Sequence, residues 1–438
     1  MKNLIDRGAI FKKNIIRGSL FKVIGIALGY ISIPVTLDFL GVKNFGVWIS
    51  IFSVLSWIYT FDLGIGNGLK IKLSEALATG DKGLAKKYIS TSYALISGIS
   101  LLFLLIGVSG TFLFDFSSGL NISFLSNDYL QKIIVLCLVF TLINFVLGLY
   151  KQIFCALQKS FMNDFVNVIF QAVVILLLIS SPKGSGTLFS ISTIFGSATL
   201  IISVGFTFYI FKKYKSIRPD FKSIDLGKVK DIGGLGMMFF IIQVSMIIIL
   251  TTDNLIITKL FGPEHVTIYN MPLKIFQGVI VFWAVISTPI TPLFTDAYIK
   301  KDYLWINSAI LKLNKIFILV IIVVFFIVLF GDEILYLWLR KDFDYPKYMF
   351  LFFGVFVILR VYGDLYMSFL NAIGKIKIQL YLYLFGALIN IPLSIYFGKN
   401  LDLGSSGVIL ATCVSLFLLA IIMPIQAYIE LKKMKTGF

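Results

Sequence analysis

A chain of 438 residues that is 58% hydrophobic and 14% charged, with a mean hydropathy of +0.94, cannot present a water-exposed surface on all sides and is expected in lipid. The net charge of +17 does not imply nucleic acid, because the lysines and arginines are spread over short loops and form no basic module with interleaved aromatics. Cys137, Cys155 and Cys413 lie far apart inside apolar segments, without a second cysteine at metal spacing, and read as packing residues.

At the start of the chain Lys2, Arg7, Lys12, Lys13 and Arg17 lead into an apolar run, which reads as an uncleaved first helix behind a basic cytoplasmic segment. A span needs about 20 mostly apolar residues. Six stretches qualify over 17–39, 46–66, 89–114, 131–155, 163–181 and 187–211. Then comes a polar segment, 212–232, with Pro219 and alternating charge, too short to enclose a core. Six more spans follow over 233–259, 267–291, 312–331, 347–370, 377–398 and 407–429. The expected architecture is an all-α polytopic membrane protein of 12 transmembrane helices. They form two pseudo-symmetric six-helix bundles, 1–211 and 233–438, joined by the linker 212–232 around a central cavity.

Orientation follows from the basic residues. One set of loops holds Lys70, Lys72, Lys82, Lys86 and Lys87, then Lys159, the linker lysines, Lys300, Lys301, Lys375 and Lys377. The alternate set holds little beyond Lys43, Lys183, Arg340, Lys341, Lys347 and Lys399. Positive charge stays inside, so both termini are expected in the cytoplasm.

The halves repeat one another. Phe39-Leu40-Gly41 after the first span matches Leu260-Phe261-Gly262 after the seventh, and Ser74-Glu75-Ala76, ending at Asp81, matches Thr295-Asp296-Ala297, ending at Asp302. Both separations are 221 residues. Ala156-Leu157-Gln158-Lys159 and Ala372-Ile373-Gly374-Lys375 match at 216. An even number of helices per repeat gives both halves the same orientation, and such pairs rock about a central site in alternating access.

Enzyme signatures are scarce. Gly64-Ile65-Gly66-Asn67-Gly68-Leu69-Lys70 is glycine-rich but follows an apolar helix and lacks the Gly-Lys-Ser/Thr ending that cradles phosphate. The single histidine, His265, sits in a short outer turn. Charge inside the membrane is more informative, since a charged side chain at mid-helix costs about 2.5–3.5 kcal/mol on insertion scales and should face a wet cavity or a partner. Arg360 is the deepest, with Asp364 one turn on. Either the two neutralise each other, or Arg360 presents its fork of donors to a cavity anion and Asp364 holds it when the site is empty. Lys274 could reach cavity or interface, and Lys22 lies nearer the inner interface, where snorkelling is the default. Asp253, Asn254 and Asp38 could take a coupling cation or proton, cap helices, or pair with Lys259 and Lys43.

The stretch Phe61-Asp62-Leu63-Gly64-Ile65-Gly66-Asn67-Gly68, running through Lys70 and Glu75 to Asp81, resembles the boundary of the second helix in bacterial polysaccharide flippases. These are the O-antigen and capsule repeat-unit transporters of the multidrug/oligosaccharidyl-lipid/polysaccharide (MOP) exporter superfamily. The resemblance implies movement of an undecaprenyl-pyrophosphate-linked oligosaccharide from the inner to the outer leaflet of the bacterial cytoplasmic membrane. It implies a cationic cavity for the head group, a role that suits Arg360, Lys274 and Lys22 by charge and not by matched position. It implies no cofactor beyond H+ or Na+ coupling, no catalytic residue and no metal. The expected partners are membrane lipids, a polysaccharide polymerase and a chain-length regulator, with the flippase itself a monomer.

Other readings make different demands. A cation-coupled drug antiporter of the same architecture would favour acidic cavity residues, and a major-facilitator transporter would carry a Gly-x-x-x-Asp-Arg-type motif that residues 67–88 lack. A glycan polymerase or glycosyltransferase would want a large outer loop or soluble domain bearing carboxylates, and the outer segments around 115–130 and 332–346 are short.

Overall fold

A computed structural model describes the backbone of residues 2–182, 186–233 and 237–436. Side chains are described within those ranges except at 2–17, 19, 232, 233, 237–239, 288, 289, 292 and 436, so Lys183 and the basic residues from Lys2 to Arg17 lie outside the described side chains. The principal helices are α1 (Lys2–Ser56), α2 (Ile65–Ala78), α3 (Lys82–Leu113), α4 (Asn127–Leu147), α5 (Leu149–Ala156), α6 (Phe161–Ser180) and α7 (Leu188–Lys213). They continue with α8 (Met237–Phe261), α9 (Pro263–Ile299), α10 (Tyr303–Leu339), α11 (Met349–Ala372), α12 (Lys377–Ile395) and α13 (Ser405–Thr436). No strand occurs among the described residues.

Among the described residues eleven helical segments are long and apolar enough to cross a membrane. The first, Leu20–Asp62, has 43 residues, and at 1.5 Å per residue it measures about 65 Å, twice a bilayer core. Its backbone breaks at Gly41 (φ 71°, ψ 166°), so it holds two crossings and the total is twelve. Large aliphatic and aromatic side chains such as Leu101, Leu105, Phe208, Leu319 and Phe325 point outward along the spans. Water would not tolerate so much exposed apolar surface, and lipid favours it. This is a multi-pass membrane protein.

The helices form two compact units, Met1–Phe240 and Ile241–Phe438. In the first, α1 packs along α6, α3 against α4, and α4 against α7. In the second, α11 packs against both α9 and α13, and α12 against α13.

The sequence repeat is written into the backbone. Gly262 (φ 94°, ψ 166°) adopts nearly the conformation of Gly41, one that a side chain would strain. Gly80 (φ 78°) and Lys301 (φ 56°) are both left-handed, as are Gln158 (φ 58°) and Gly374 (φ 73°). The next residue on in the first of these pairs is a cap: Asp81 Oδ1 accepts from the N–H of Leu84 at 2.8 Å, and Asp302 Oδ1 from that of Trp305 at 3.0 Å.

Three expectations need correction. The second span is not one helix over 46–66. It tightens into a 3-10 helix at Trp57–Asp62, passes through left-handed Leu63 and Gly64, and restarts as α2 at Ile65. The ninth span runs past 331 to Leu339, with a local kink at Phe330 (φ −117°), so much of the expected outer segment is helical. The linker lies along α3: Lys86 pairs with Asp220 at 3.3 Å and Lys87 with Asp225 at 3.2 Å. Ser90 and Thr91 hydroxyls accept from the N–H groups of Asp220 and Asp225, both at 3.0 Å, fastening the segment along the first turns of α3. His265 also lies in a helix, the first turn of α9, half-buried with its ring edge-on to Phe261.

Candidate functional site

On α11 the residues Phe353, Val357, Val361, Leu365 and Phe369 recur at helical spacing and are buried. Arg360, Asp364, Ser368 and Asn371 form an adjoining stripe, one turn apart each time. On α9 the positions Ile280, Trp283, Ala284, Ser287 and Thr291 share one face in the same way. The two stripes line a cavity of about 560 Å³ within the second unit.

Arg360 Nη1 donates to the hydroxyl of Tyr383 on α12 at 2.9 Å. Asp364 Oδ2 accepts from the indole N–H of Trp283 at 3.1 Å. Helical spacing puts Arg360 and Asp364 on one face, yet no ion pair joins them among the described residues, and each has taken another partner. Guanidinium carries five N–H donors in a planar fork. One is used on Tyr383, which leaves the cavity side of the fork for an anion.

Lys274 sits on α9 outside that lining, half-buried, and donates to Gln277 Oε1 at 3.3 Å. Lys22 is exposed and belongs to the first unit. Asp38, in the same unit, is exposed near the end of the first span.

Asp253 is the most deeply placed carboxylate among the candidates, at 3% exposure. Its Oδ2 accepts from Tyr269 at 2.6 Å and from Thr412 at 3.3 Å, while Oδ1 is buried with no hydrogen-bond partner. Asn390 on α12 donates to Thr412 and Ser415 of α13, each at 3.3 Å, and its Oδ1 is likewise without a partner. The cluster therefore combines a buried carboxylate, an amide oxygen and hydroxyls. Asn254 lies beside it in sequence and accepts from Asn270 at 2.8 Å. Neither Lys259 nor any other cation forms an ion pair with Asp253 among the described residues.

The boundary motif acts on the backbone. Asp62 accepts from the N–H of Gly64 at 2.9 Å and of Gly66 at 3.1 Å, capping α2 across the left-handed turn. A side chain at Gly66 would meet Asp62 Oδ2 at 2.9 Å. Gly68 N–H closes the first turn onto Gly64 O at 2.9 Å, exposed Asn67 accepts from Lys70 at 3.4 Å, and Lys72 pairs with Glu75 at 2.9 Å. Tyr383, Trp283, Asn390 and Thr412 escaped the sequence reading, because a polar group on an apolar helix declares its role only once the facing helix is known.

The twelve spans in two units form a multi-pass fold that is shared with solved transporters of the MOP superfamily. An inward-facing multidrug resistance MATE family transporter of that superfamily superposes with a TM-score of 0.71, at 17% identity and over 95% of both chains. A MOP superfamily transporter from Pyrococcus furiosus, described as having a binding pocket of reverse polarity, gives a TM-score of 0.65 at 18% identity over 97% of each chain. The family profile described as polysaccharide biosynthesis protein matches residues 11–298, and a MatE profile matches 238–396. The chain belongs to the polysaccharide biosynthesis protein family. It is 25% identical over 416 residues to a Salmonella typhimurium protein named for O-antigen transport, covering 92% of this chain and 93% of that one. A Yersinia pseudotuberculosis protein named for O-antigen export is 24% identical over 367 residues, or 81% and 82% of the two chains.

Proposed function

We propose that this protein exports polysaccharide repeat units of the O-antigen type, turning a lipid-pyrophosphate-linked oligosaccharide from the inner to the outer leaflet of the bacterial cytoplasmic membrane by alternating access. The observation that carries the reading is Arg360, lining the cavity of the second unit with one donor on Tyr383 and, among the described residues, no ion pair to a carboxylate. A guanidinium held this way suits a phosphate oxygen, whereas an exporter of organic cations would be served by the opposite charge. The names of the relatives agree with this cargo.

Coupling is assigned to Asp253. Its orphaned Oδ1 is a buried acceptor whose need a proton or a hard cation would meet. When bound, the cation or proton would neutralise a carboxylate buried among apolar helices, so occupancy shifts the balance between transporter states. The chain's own part is to hold the carboxylate rigid through Tyr269 and Thr412.

A deletion strain tests the reading. It should lose surface polysaccharide and accumulate lipid-linked repeat units on the cytoplasmic face, and the gene should restore both while an Arg360→Ala form does not. Normal surface polysaccharide in the deletion strain would sink the proposal.

A further inference from the structure

The first unit holds a cavity of its own, about 200 Å³, lined in part by Tyr59, Asp62, Gly66, Asn144, Gly148 and Gln152. The repeat spacings relate it to the cavity of Arg360. Moving 221 positions from Tyr59, Asp62 and Gly66 gives Ile280, Trp283 and Ser287; moving 216 from Asn144, Gly148 and Gln152 gives Arg360, Asp364 and Ser368. All six of these residues line the second cavity. The two hollows are the same place in the two copies of the fold.

Their chemistry differs residue by residue. Where the second cavity has Arg360 the first has Asn144, which is 6% exposed and whose Oδ1 has no hydrogen-bond partner. The carboxylate has changed helices: Asp364 faces Trp283 in the second cavity, while in the first the equivalent of Trp283 is Asp62 and the equivalent of Asp364 is Gly148. Gln152 takes the place of Ser368 and lies beside Asp62, since a side chain at Gly66 would meet Asp62 Oδ2 at 2.9 Å and Gln152 Nε2 at 3.4 Å. Lys151 also lines the first cavity, and its ammonium makes no hydrogen bond or ion pair among the described residues.

In the first cavity the position of Arg360 is held by the neutral amide of Asn144, so the guanidinium fork that Arg360 offers an anion is missing there. An amide acceptor, a second amide, a carboxylate, an amine donor and the Tyr59 ring form the mixed set that hydroxyl groups and C–H faces of a sugar satisfy together. Its volume falls below the roughly 300–1,000 Å³ of drug-sized sites, which suits a single ring. We propose that the cavity of the first unit is a second binding site, taking one uncharged sugar residue, and that the duplicated hollow has been divided into an anion half and a hydroxyl half. The choice of a sugar rests on the export reading above.

The full-length protein in detergent micelles tests this by saturation-transfer NMR against neutral methyl glycosides of glucose, galactose, mannose, rhamnose and N-acetylglucosamine. Inorganic pyrophosphate is followed separately by phosphorus line broadening. At least one glycoside should show transfer that falls about tenfold in Asn144→Leu and Gln152→Leu, the scale of one lost hydrogen bond to a buried partner. Gly66→Ala, which removes no polar group but intrudes on Asp62 and Gln152, should weaken it as well, so a misfolded leucine variant does not decide the matter. Pyrophosphate broadening should depend on Arg360 and be unchanged by Asn144→Leu. Transfer from no glycoside, or transfer that survives all three variants, overturns the proposal. If surface polysaccharide depends on Arg360 while no glycoside binds, this inference fails alone; if glycosides bind through Asn144 but the deletion strain keeps its polysaccharide, the export reading fails instead.

Discussion

The second span of the first unit breaks between Trp57 and Gly64, whereas α9, 221 positions later, runs helical through the equivalent residues 278–285. The break places a carboxylate, Asp62, against two backbone N–H groups, where the unbroken helix places Trp283 against a carboxylate from α11. The same scaffold thus spends its acidic residue on backbone in one copy and on a side chain in the other. With Asp364 engaged by Trp283, Arg360 keeps its fork for the cavity; with Asp62 engaged by the backbone, the first copy carries no arginine at the matching position. Duplication preserved where a polar hollow forms between helices and left its charge free to diverge.

The largest expected effect separates the two copies by charge. Arg360→Gln should cut export of lipid-linked units by about ten- to a hundredfold, the worth of a charge-assisted hydrogen bond. Asn144→Leu should cost tenfold or less, measured as surface polysaccharide restored to a deletion strain. Equal losses would end the division between an anion half and a hydroxyl half. Next is Asp253→Asn, which keeps shape and the Tyr269 contact but removes the charge: transport in proteoliposomes should lose its response to an imposed ion gradient, and an unaltered response would remove Asp253 from coupling.

A smaller contrast lies in stability. Asp62→Ala removes the cap of α2 and should cost about 1–2 kcal/mol. Trp283→Phe, at the matching position of the unbroken helix, empties part of a fully buried site and removes a charge-assisted hydrogen bond to Asp364, and should cost about 2–4 kcal/mol. Thermal unfolding in detergent should show Trp283→Phe as the costlier of the two, and the reverse ranking would mean that the Trp283 contact holds less than the cap at the break.

The smallest effect concerns the linker. Asp220 is held below the ordinary carboxylate range by the backbone N–H of Lys222 and by Lys86, and Asp225 by its hydrogen bond from Lys87. Because both folded values are depressed, their contribution is complete above the unfolded pKa and is lost as pH falls through the folded values. Amide hydrogen exchange over the linker, corrected for the intrinsic rate at each pH, should therefore be protected at neutral pH and lose that protection only below about pH 4. Protection as weak at pH 7 as in acid would show that these pairs do not hold the segment.

The spans, their number and the repeat were legible because burial in lipid leaves a plain signal: about 20 apolar residues per crossing, with glycines and caps recurring at a fixed offset. Gly41 and Gly262, and Asp81 and Asp302, could be paired on the page and share their conformation or cap in the structure. The break at Gly64 was less visible, since the apolar run continues through it and only Asp62 and the glycines announce the turn.

Amino-acid order by itself determined the class of protein, the twelve crossings, the twofold repetition and the presence of one arginine deep in the membrane. Whether that arginine is neutralised by its own helix was a tertiary matter. Helical spacing brings Arg360 and Asp364 to one face, but Tyr383 and Trp283 arrive from other helices and offer each a partner. The same holds for the orphaned oxygens of Asp253 and Asn390 and for the paired cavities. A polar side chain in an apolar helix must find its partner across a helix interface, and that interface exists only in three dimensions.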